Sequence, residues 1–368
     1  MNFVTGQADL ARSLKQVAPA VAGGRCSHPI LTNVLLDATH KSLTVTAFDL
    51  SLSISTTINA TVETPGQACI PARVLADLIA RLNSDDAVAI ATDGGHSICI
   101  TTASGTYTLA GDDPVDYPAL PAIEPGNIEL DGNELRDAIE ATIVAASKEG
   151  AKQILEGIYL QADHDGIEMA ATNGHRLNIF GAIKGEAIMG EAIPAVAIRE
   201  VLKLDTDDIE VGFRAGHVAF GGGGTTIRSR VFEGKYPNYR QLVPDAFATE
   251  ITLDRKALIQ ALERVAIIAE QYNSVIKLSF DDTGDGVVTI SSEHETGFGS
   301  EQLIPKDANG PAITIAANVR YLIDAARSIN TPNIQMAANT SIAPFVIRPS
   351  GDDCPEQLAL IMPVQIKQ

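Results

Sequence analysis

Leu135-Arg-Asp-Ala-Ile139-Glu-Ala-Thr-Ile143 is a helix-period run, and Ile193-Pro-Ala-Val-Ala-Ile198 follows it 58 residues on. The same pair stands upstream as Leu10-Ala-Arg-Ser-Leu14-Lys-Gln-Val17 with Ile70-Pro-Ala-Arg-Val-Leu75, 60 residues apart. It stands again downstream as Leu258-Ile-Gln-Ala-Leu262-Glu-Arg-Val265 with Ile315-Ala-Ala-Asn-Val319, 57 residues apart. Apolar residues three and four apart put one stripe of each run against a core. A closing phrase marks the first two copies, Asp116-Tyr-Pro-Ala-Leu-Pro121 and Tyr236-Pro-Asn-Tyr-Arg-Gln-Leu-Val-Pro244. Three copies in 368 residues make units of about 123 residues, each long enough to bury a core of its own. Tandem copies of whole domains suggest a scaffold or a ring more readily than a single active site.

Between the helical runs the sequence alternates at period two, as in Leu43-Thr-Val45-Thr-Ala47, Leu52-Ser-Ile54-Ser, Ile98-Cys-Ile100-Thr, Ile209-Glu-Val211-Gly-Phe213 and Val287-Val-Thr-Ile-Ser. Such stretches are half-buried antiparallel strands. Asp93-Gly-Gly, Ala215-Gly216, Gly221 to Gly224 and Gly284-Asp-Gly286 separate them and read as hairpin turns. Each unit is then helix, strands, helix, strands: an α+β fold without parallel crossovers. Pro clusters at Pro118–Pro125 and Pro244–Glu250 set the expected domains at 1–121, 122–245 and 246–368.

The chain is 45% hydrophobic and 20% charged, which describes a soluble globular protein. Its first residues have neither the basic nor the apolar region of a signal peptide, and no apolar run reaches membrane-spanning length. Cys26, Cys69, Cys99 and Cys354 stand far apart with no paired spacing, so they read as reduced thiols of a cytoplasmic protein. The net charge of −19 argues against nucleic acid taken alone, because duplex binding needs Lys and Arg. The distribution qualifies this. Expected helices at 8–20, 72–82, 132–146, 195–204, 254–268 and 317–329 hold 12 Lys and Arg against nine Asp and Glu, a net +3, which leaves −22 for the rest. Helices lining one surface could attract phosphates weakly. Helices carrying solvated Lys and Arg account for the same count.

Catalytic and metal motifs are missing. Gly221–Gly224 precedes Thr225-Thr-Ile-Arg rather than Lys-Ser or Lys-Thr, so it is no phosphate loop. Asp112-Asp113, Asp281-Asp282 and Asp352-Asp353 could pair on a cation, but beside Gly or Pro in polar turns they read as solvated loop acids. No metal, cofactor or catalytic residue is expected. One phrase stands apart, Ala171-Thr-Asn-Gly174-His175-Arg176-Leu177, a strand that turns at Gly and returns. A hydrolase using His175 is the alternative from a different class, though no partner acid or nucleophile lies near it in sequence.

That phrase closely resembles the Ala-Thr-Asp-Gly-His-Arg-Leu signature of the bacterial sliding clamp family, the beta subunits of DNA polymerase III. Tyr236–Pro244 is similar to the family's Phe-Pro-Asp-Tyr-Arg-Arg-Val-Leu-Pro, and Leu360-Ile-Met362-Pro363-Val-Gln-Ile resembles its Val-Met-Pro-Met-Arg-Leu ending. Gly23-Gly24-Arg25 with His28-Pro29-Ile30-Leu31 looks like its first-domain loop, and Asn318-Val-Arg-Tyr321-Leu like its third-domain helix. The matches run in order over the whole chain. The resemblance implies three DNA-clamp domains per chain and two chains closed head to tail into a six-domain ring. Helices face the hole, sheets form the rim, and polymerase is tethered to encircled DNA.

The family's partners would be double-stranded DNA without sequence preference, the DNA polymerase III alpha subunit, the clamp loader, and other polymerases and repair proteins. The proteins insert a Gln-Leu-x-Leu-Phe-like peptide. Carried over, the pocket is Leu155, Thr172, Gly174, His175, Arg176, Leu177, Pro237, Gln241, Leu242, Asn318, Tyr321, Pro344, Leu360, Ile361, Met362, Pro363 and Val364. Met362 and Leu177 could also simply close a core between domains. DNA would touch Arg25, Lys148, Lys152, Arg73, Arg199 and Lys203. The homodimer would close at Tyr107, Ile267 and Ile268. The chain departs from the pattern at Asn173, usually Asp, and at Gln241 and Gln365, often Arg. Ser104-Gly-Thr-Tyr-Thr lacks the Arg residues many members carry at the interface, which shifts weight to apolar contact. A divergent or mobile-element copy with altered partner binding is the alternative reading.

Overall fold

Each of the six helical runs is a helix, and each follows directly on a strand. The computed structural model describes residues 1–23, 26–92, 96–126, 128–148, 152–162, 166–181, 189–281, 286–295 and 297–365. Helix α1 (Gln7–Val17) follows strand Asn2–Gly6, and α2 (Ala72–Ile79) follows Gly66–Pro71. The second copy has α3 (Gly132–Ile143) after Ile128–Asp131 and α4 (Ala195–Val201) after Met189–Pro194. The third has α5 (Arg255–Ala269) after Thr249–Asp254 and α6 (Val319–Arg327) after Ile313–Asn318. Asp254 and Asn318 cap the last two, accepting from Ala257 N at 2.8 Å and Arg320 N at 2.9 Å. Several helices end earlier than the apolar spacing indicates. Leu82 N bonds Ile79 O, Ala146 N bonds Ile143 O and Leu204 N bonds Val201 O, so the last turn tightens to three-residue bonds.

The chain forms two compact units, residues 1–133 with 196–231, and residues 134–195 with 232–368. All strand pairs named among the described residues are antiparallel. The first unit holds a five-stranded and an eight-stranded sheet. There α1 buries Leu10, Leu14 and Val17 while packing on strand Leu52–Asn59 and on α2. The second unit holds a nine-stranded and a four-stranded sheet. Its core joins Leu258, Leu262 and Val265 of α5 to Leu322 of α6, Ile290 and Ile347.

Copies are sewn together by one repeated device. The third strand after a copy's first helix pairs with the last strand of the next copy. In the first unit Leu52–Asn59 pairs with Thr225–Arg230, with Ile54 opposite Ile227 and the Thr56 and Thr225 hydroxyls 2.9 Å apart. In the second, Arg176–Phe180 pairs with Gln357–Ile361, with Leu177 opposite Leu360. Two strands of these kinds stay unpaired on that side. Thr106–Ala110, the last strand of copy one, ends the five-stranded sheet, and Gly297–Leu303 of copy three ends the four-stranded one.

The turns refine the sequence reading. Gly223 and Gly224, with φ of +57° and +76°, make a two-residue hairpin loop, and Ala215-Gly216 makes another. The turns at Asp93-Gly-Gly and Gly284-Asp-Gly286 fall at residues 93–95 and 284–285, outside the described residues. The acid pairs are not merely solvated. Asp112 accepts from Asn33 Nδ2 at 2.6 Å, and Asp113 caps the 3-10 turn Pro114–Asp116 through Val115 N at 2.9 Å. Asp281 closes strand Val275–Asp281 instead of lying in a turn, and Asp282 is outside the described residues. The Pro-rich boundary before copy two is packed, not a free linker: Arg228, a buried side chain, donates to Ile123 O at 2.8 Å and to both Glu124 carboxylate oxygens at 2.8 Å.

Candidate functional site

Strand Ile167–Thr172 passes into strand Arg176–Phe180 through the turn that carries the singled-out phrase. Gly174 sits there at φ +87°, a conformation that L side chains rarely adopt. Asn173 Oδ1 accepts from His175 N at 2.9 Å and Arg176 N at 3.1 Å. Thr172 Oγ1 donates to Arg176 O at 2.6 Å and accepts from Gly174 N at 3.1 Å, so the turn is braced from both sides. His175 is thereby held exposed, and its ring makes no hydrogen bond among the described residues. Arg176 points inward and is 8% exposed. Its guanidinium donates to Asp324 Oδ2 at 2.6 Å and to the Val144 carbonyl, and it lies 4.5 Å from the centre of the Tyr321 ring.

Four further segments of the second unit converge on this turn. The last strand, Gln357–Ile361, runs beside it, and the chain then continues with Met362 N donating to His175 O at 2.9 Å and Val364 N to Ala316 O at 2.8 Å. Phe345 lies opposite Ile361, which brings the preceding Pro344 to the same end. Leu155, on the 3-10 turn Gln153–Glu156, packs into one apolar cluster with Leu177, Leu360, Tyr236, Val243 and Phe247. Segment 236–244 is fixed by Glu168, a buried carboxylate that accepts from the Tyr239 hydroxyl and from Arg240 at 2.7 Å. Burial, then the hydrogen bond and charge of Glu168, push the Tyr239 phenol well up. Arg240's own hydrogen bond to Glu168 holds the guanidinium above its ordinary value. That segment presents Pro237, Gln241 and Leu242 to solvent, with Leu242 49% exposed; Met362 beyond the last strand is 40% exposed.

The carried-over residues therefore divide by depth. Leu177, Leu360 and Ile361 are fully buried floor, Thr172 braces the turn, and Arg176 is an internal ion-pair partner rather than a surface contact. Gly174, His175, Pro237, Gln241, Leu242, Met362 and Val364 are exposed, while Leu155, Asn318, Tyr321, Pro344 and Pro363 are half-buried. Sequence reasoning missed Glu168, Asp324, Val243 and Phe247, which hold the walls, because each acts on residues distant in sequence. No group of three or more His, Cys, Asp or Glu that could hold a metal ion occurs among the described residues.

Three family models match in order: the N-terminal domain of the DNA polymerase III beta subunit over residues 1–121, its central domain over 129–238 and its C-terminal domain over 240–365. The chain belongs to the beta sliding clamp family. It is 34% identical to a beta sliding clamp of Synechococcus elongatus over 380 residues, covering 100% of both chains. Among solved structures it is similar to the DNA polymerase sliding clamp of Bacillus subtilis, at 26% identity and TM-score 0.92 over 100% of both chains. It is also similar to a DNA polymerase III subunit beta from Bartonella birtlesii bound to griselimycin, at 25% identity and TM-score 0.90 over 100% of both chains. Its function is accordingly that of a DNA polymerase processivity factor.

The remaining carried-over residues are spread over both units. Arg73 on α2, Arg199 on α4 and Lys203 just beyond it are exposed in the first unit, and Lys148 and Lys152 are exposed in the second. Arg25 lies outside the described residues. The helix charge count hides extensive pairing. Lys203 bonds Glu200 at 2.7 Å, Arg320 bonds Glu270 at 2.7 Å, Arg327 bonds Glu263 at 2.6 Å, and Arg264 grips Glu301 at 2.7 and 2.9 Å. Lys15, Arg199 and Lys256 make no ion pair among the described residues. Tyr107 stands half-exposed on edge strand Thr106–Ala110. Ile267 is exposed on α5, and Ile268 lines a cavity of about 430 Å³ with Tyr272, His294 and Phe298. No helix among the described residues is long and apolar enough to cross a membrane.

Proposed function

We propose that two copies of this chain close head to tail into a ring around duplex DNA, and that the surface between Gly174–His175, Leu242 and Met362 holds the peptides of polymerases and loading factors. The observation that carries the ring is the repeated sheet join. Thr106–Ala110 and Gly297–Leu303 are the same two kinds of strand that pair within the chain, so each can complete the other's sheet in a second copy. Such a contact uses different ends of the chain and closes only when the rotation returns on itself. Tyr107, Ile267 and Ile268 supply apolar area beside those edges. Domains at 1–121, 122–245 and 246–368 are the units of this ring, in a cytoplasmic protein that is not an enzyme.

For DNA, the unpaired helix cations and Arg73, Lys148, Lys152 and Arg25 are the candidate phosphate contacts. Because so many helix cations are already paired with acids, attraction is weak and closure supplies retention. The peptide surface combines exposed Leu and adaptable Met with a few polar groups, as a pocket for a Leu-Phe anchor requires. The test has two arms. Light scattering should give a mass near twice 38.8 kDa. A chain lacking residues 361–368 should keep that mass while losing a Gln-Leu-Ser-Leu-Phe peptide in fluorescence anisotropy. A monomer at all concentrations sinks the ring, and undiminished peptide binding by the truncated chain sinks the pocket.

A further inference from the structure

We infer that segment Tyr117–Pro125 is a latch laid across the join between copy one and the last three strands of copy two. Its release is the movement that lets a closed ring open, a second half of the inference that rests on the ring reading above. Phe48, Ser53, Arg228, Ala219 and Gly212 stand opposite one another in turn, each on its own strand. Directly opposed residues share a sheet face, so this row runs from copy one into copy two, all within the first unit. The segment follows the row. Tyr117 is buried in copy one, in a cluster with Phe48 and Leu31. At the other end a Cβ on Gly212 would collide with the Glu124 carbonyl, and one on Gly221 with the Pro125 ring. Only glycine lets the chain lie that close.

Side chains of the sheet, rather than a strand ladder, hold the segment down. Arg214 Nη1 donates to Ala122 O at 3.4 Å, and Arg228 donates to Ile123 O and to the Glu124 carboxylate, each at 2.8 Å. Among the described residues no backbone hydrogen bond joins residues 118–125 to the sheet; Ile123 N bonds Pro121 O at 2.8 Å inside the segment. Pro118, Pro121 and Pro125 fix φ, so the segment moves as a stiff strap. Glu124 grips the buried Arg228 from solvent, with its own side chain 74% exposed. Arg228 Nη1 and the Oγ of the opposed Ser53 are buried without a hydrogen-bond partner in the protein. Lifting the strap gives both groups water, which offsets part of the bonds lost. The ladder beneath, with Ile54 opposite Ile227, stays paired. Opening a closed ring at one contact needs bending elsewhere in the circle, and a joint whose brace lifts without unpairing its strands supplies it.

Hydrogen exchange read by mass spectrometry, with the half-life of the full chain on nicked circular DNA, tests both halves. Glu124→Gln keeps the side chain's size and leaves the sheet untouched. It should quicken exchange between residues 119 and 126 about fivefold, the ordinary worth of one charge-assisted bond, and leave strand Thr225–Arg230 unmoved. Gly212→Ala pushes the strap off its seat and should quicken the same amides about tenfold or more. In the unaltered chain about 0.5 M KCl should speed them too, since Glu124 is exposed, while Glu124→Gln should no longer respond. Both variants should leave circular DNA sooner, in the same order. Equal exchange in the unaltered chain and both variants overturns the latch. Faster exchange with an unchanged half-life on DNA overturns its part in opening. An unaltered chain that never stays on circular DNA is a different result: it sinks the ring reading and the opening role with it, while exchange still judges the latch.

Discussion

The two sheet joins share a backbone and differ in what they carry. At the first, Asp49 Oδ1 accepts from Ser51 N at 2.8 Å and Leu52 N at 2.7 Å, and Arg230 N donates to Ser51 O at 2.9 Å. At the second, Asn173 Oδ1 accepts from His175 N and Arg176 N, and Met362 N donates to His175 O, also at 2.9 Å. Position by position, Asp49, Leu50, Ser51, Leu52 and Arg230 stand where Asn173, Gly174, His175, Arg176 and Met362 stand. Even the left-handed backbone recurs, at φ +77° for Leu50 and +87° for Gly174. The fold thus offers the same turn twice. A peptide surface is proposed only where the side chains became an inward Arg on Tyr321 and an outward Met; the turn itself is structural equipment for pairing two copies. Function here lives in side chains grafted on a repeated frame.

Exchanging the inward residues should break the comparison most strongly. Leu52 is a buried apolar residue, whereas Arg176 at the matching position has Asp324 as its ion-pair partner. Leu52→Arg should therefore cost about 4 kcal/mol, the range for an unpaired buried charge. The reverse change, Arg176→Leu, removes a charge and leaves Asp324, which is partly solvated and can hydrate. It should cost about 2 kcal/mol. Urea midpoints at neutral pH measure both. Equal losses would mean that the two joins are electrostatically alike, contrary to the assignment of Arg176 as a partnered internal cation.

The outward residues sharpen the comparison from the functional side. Met362→Arg gives the second join the residue of the first, and it should lower peptide affinity about a hundredfold, as loss of a central anchor does. Because position 362 is exposed, the melting temperature should change little. Arg230→Met should create no peptide site, since the first join lacks the neighbouring Leu242 and Tyr321. Peptide binding restored in an Arg230→Met, Met362→Arg double variant would show that Met alone makes the site.

Much of this frame was legible beforehand. Period and spacing located all six helices, and Gly223-Gly224 was readable as a hairpin because only a two-residue loop with positive φ suits it. The turn at Asn173-Gly174 was visible through its glycine. Its twin at Asp49-Leu50 was not, because a Leu at φ +77° carries no such signal. The inward direction of Arg176 was equally hidden: Asp324 lies 148 residues away, and only the fold brings them together. Charge counting placed a net positive charge on the helices correctly, yet it could not see that Arg264, Arg320 and Arg327 spend theirs on Glu301, Glu270 and Glu263.

The smallest expected difference between the two regions appears at alkaline pH. In the first unit burial, reinforced by Asp112 and Asp113, pushes the Cys69 thiol from 9.0 up to about 12. In the second unit burial raises the Tyr236 and Tyr239 phenols from a starting value of 10.0. A raised acid stays protonated in the folded state while the unfolded chain has already lost its proton. Stability from Cys69 is therefore complete below pH 9 and is lost progressively as pH rises toward about 12. The phenols start the same decline about one pH unit higher. Between pH 7.5 and 9.5 the thiol should account for less than about 1 kcal/mol of lost stability. Urea unfolding of the unaltered chain and of Cys69→Ala at both pH values isolates that share: the variant, less stable at pH 7.5 for its lost packing, should show the shallower fall. An equal fall in both would place the alkaline sensitivity in groups other than this buried thiol.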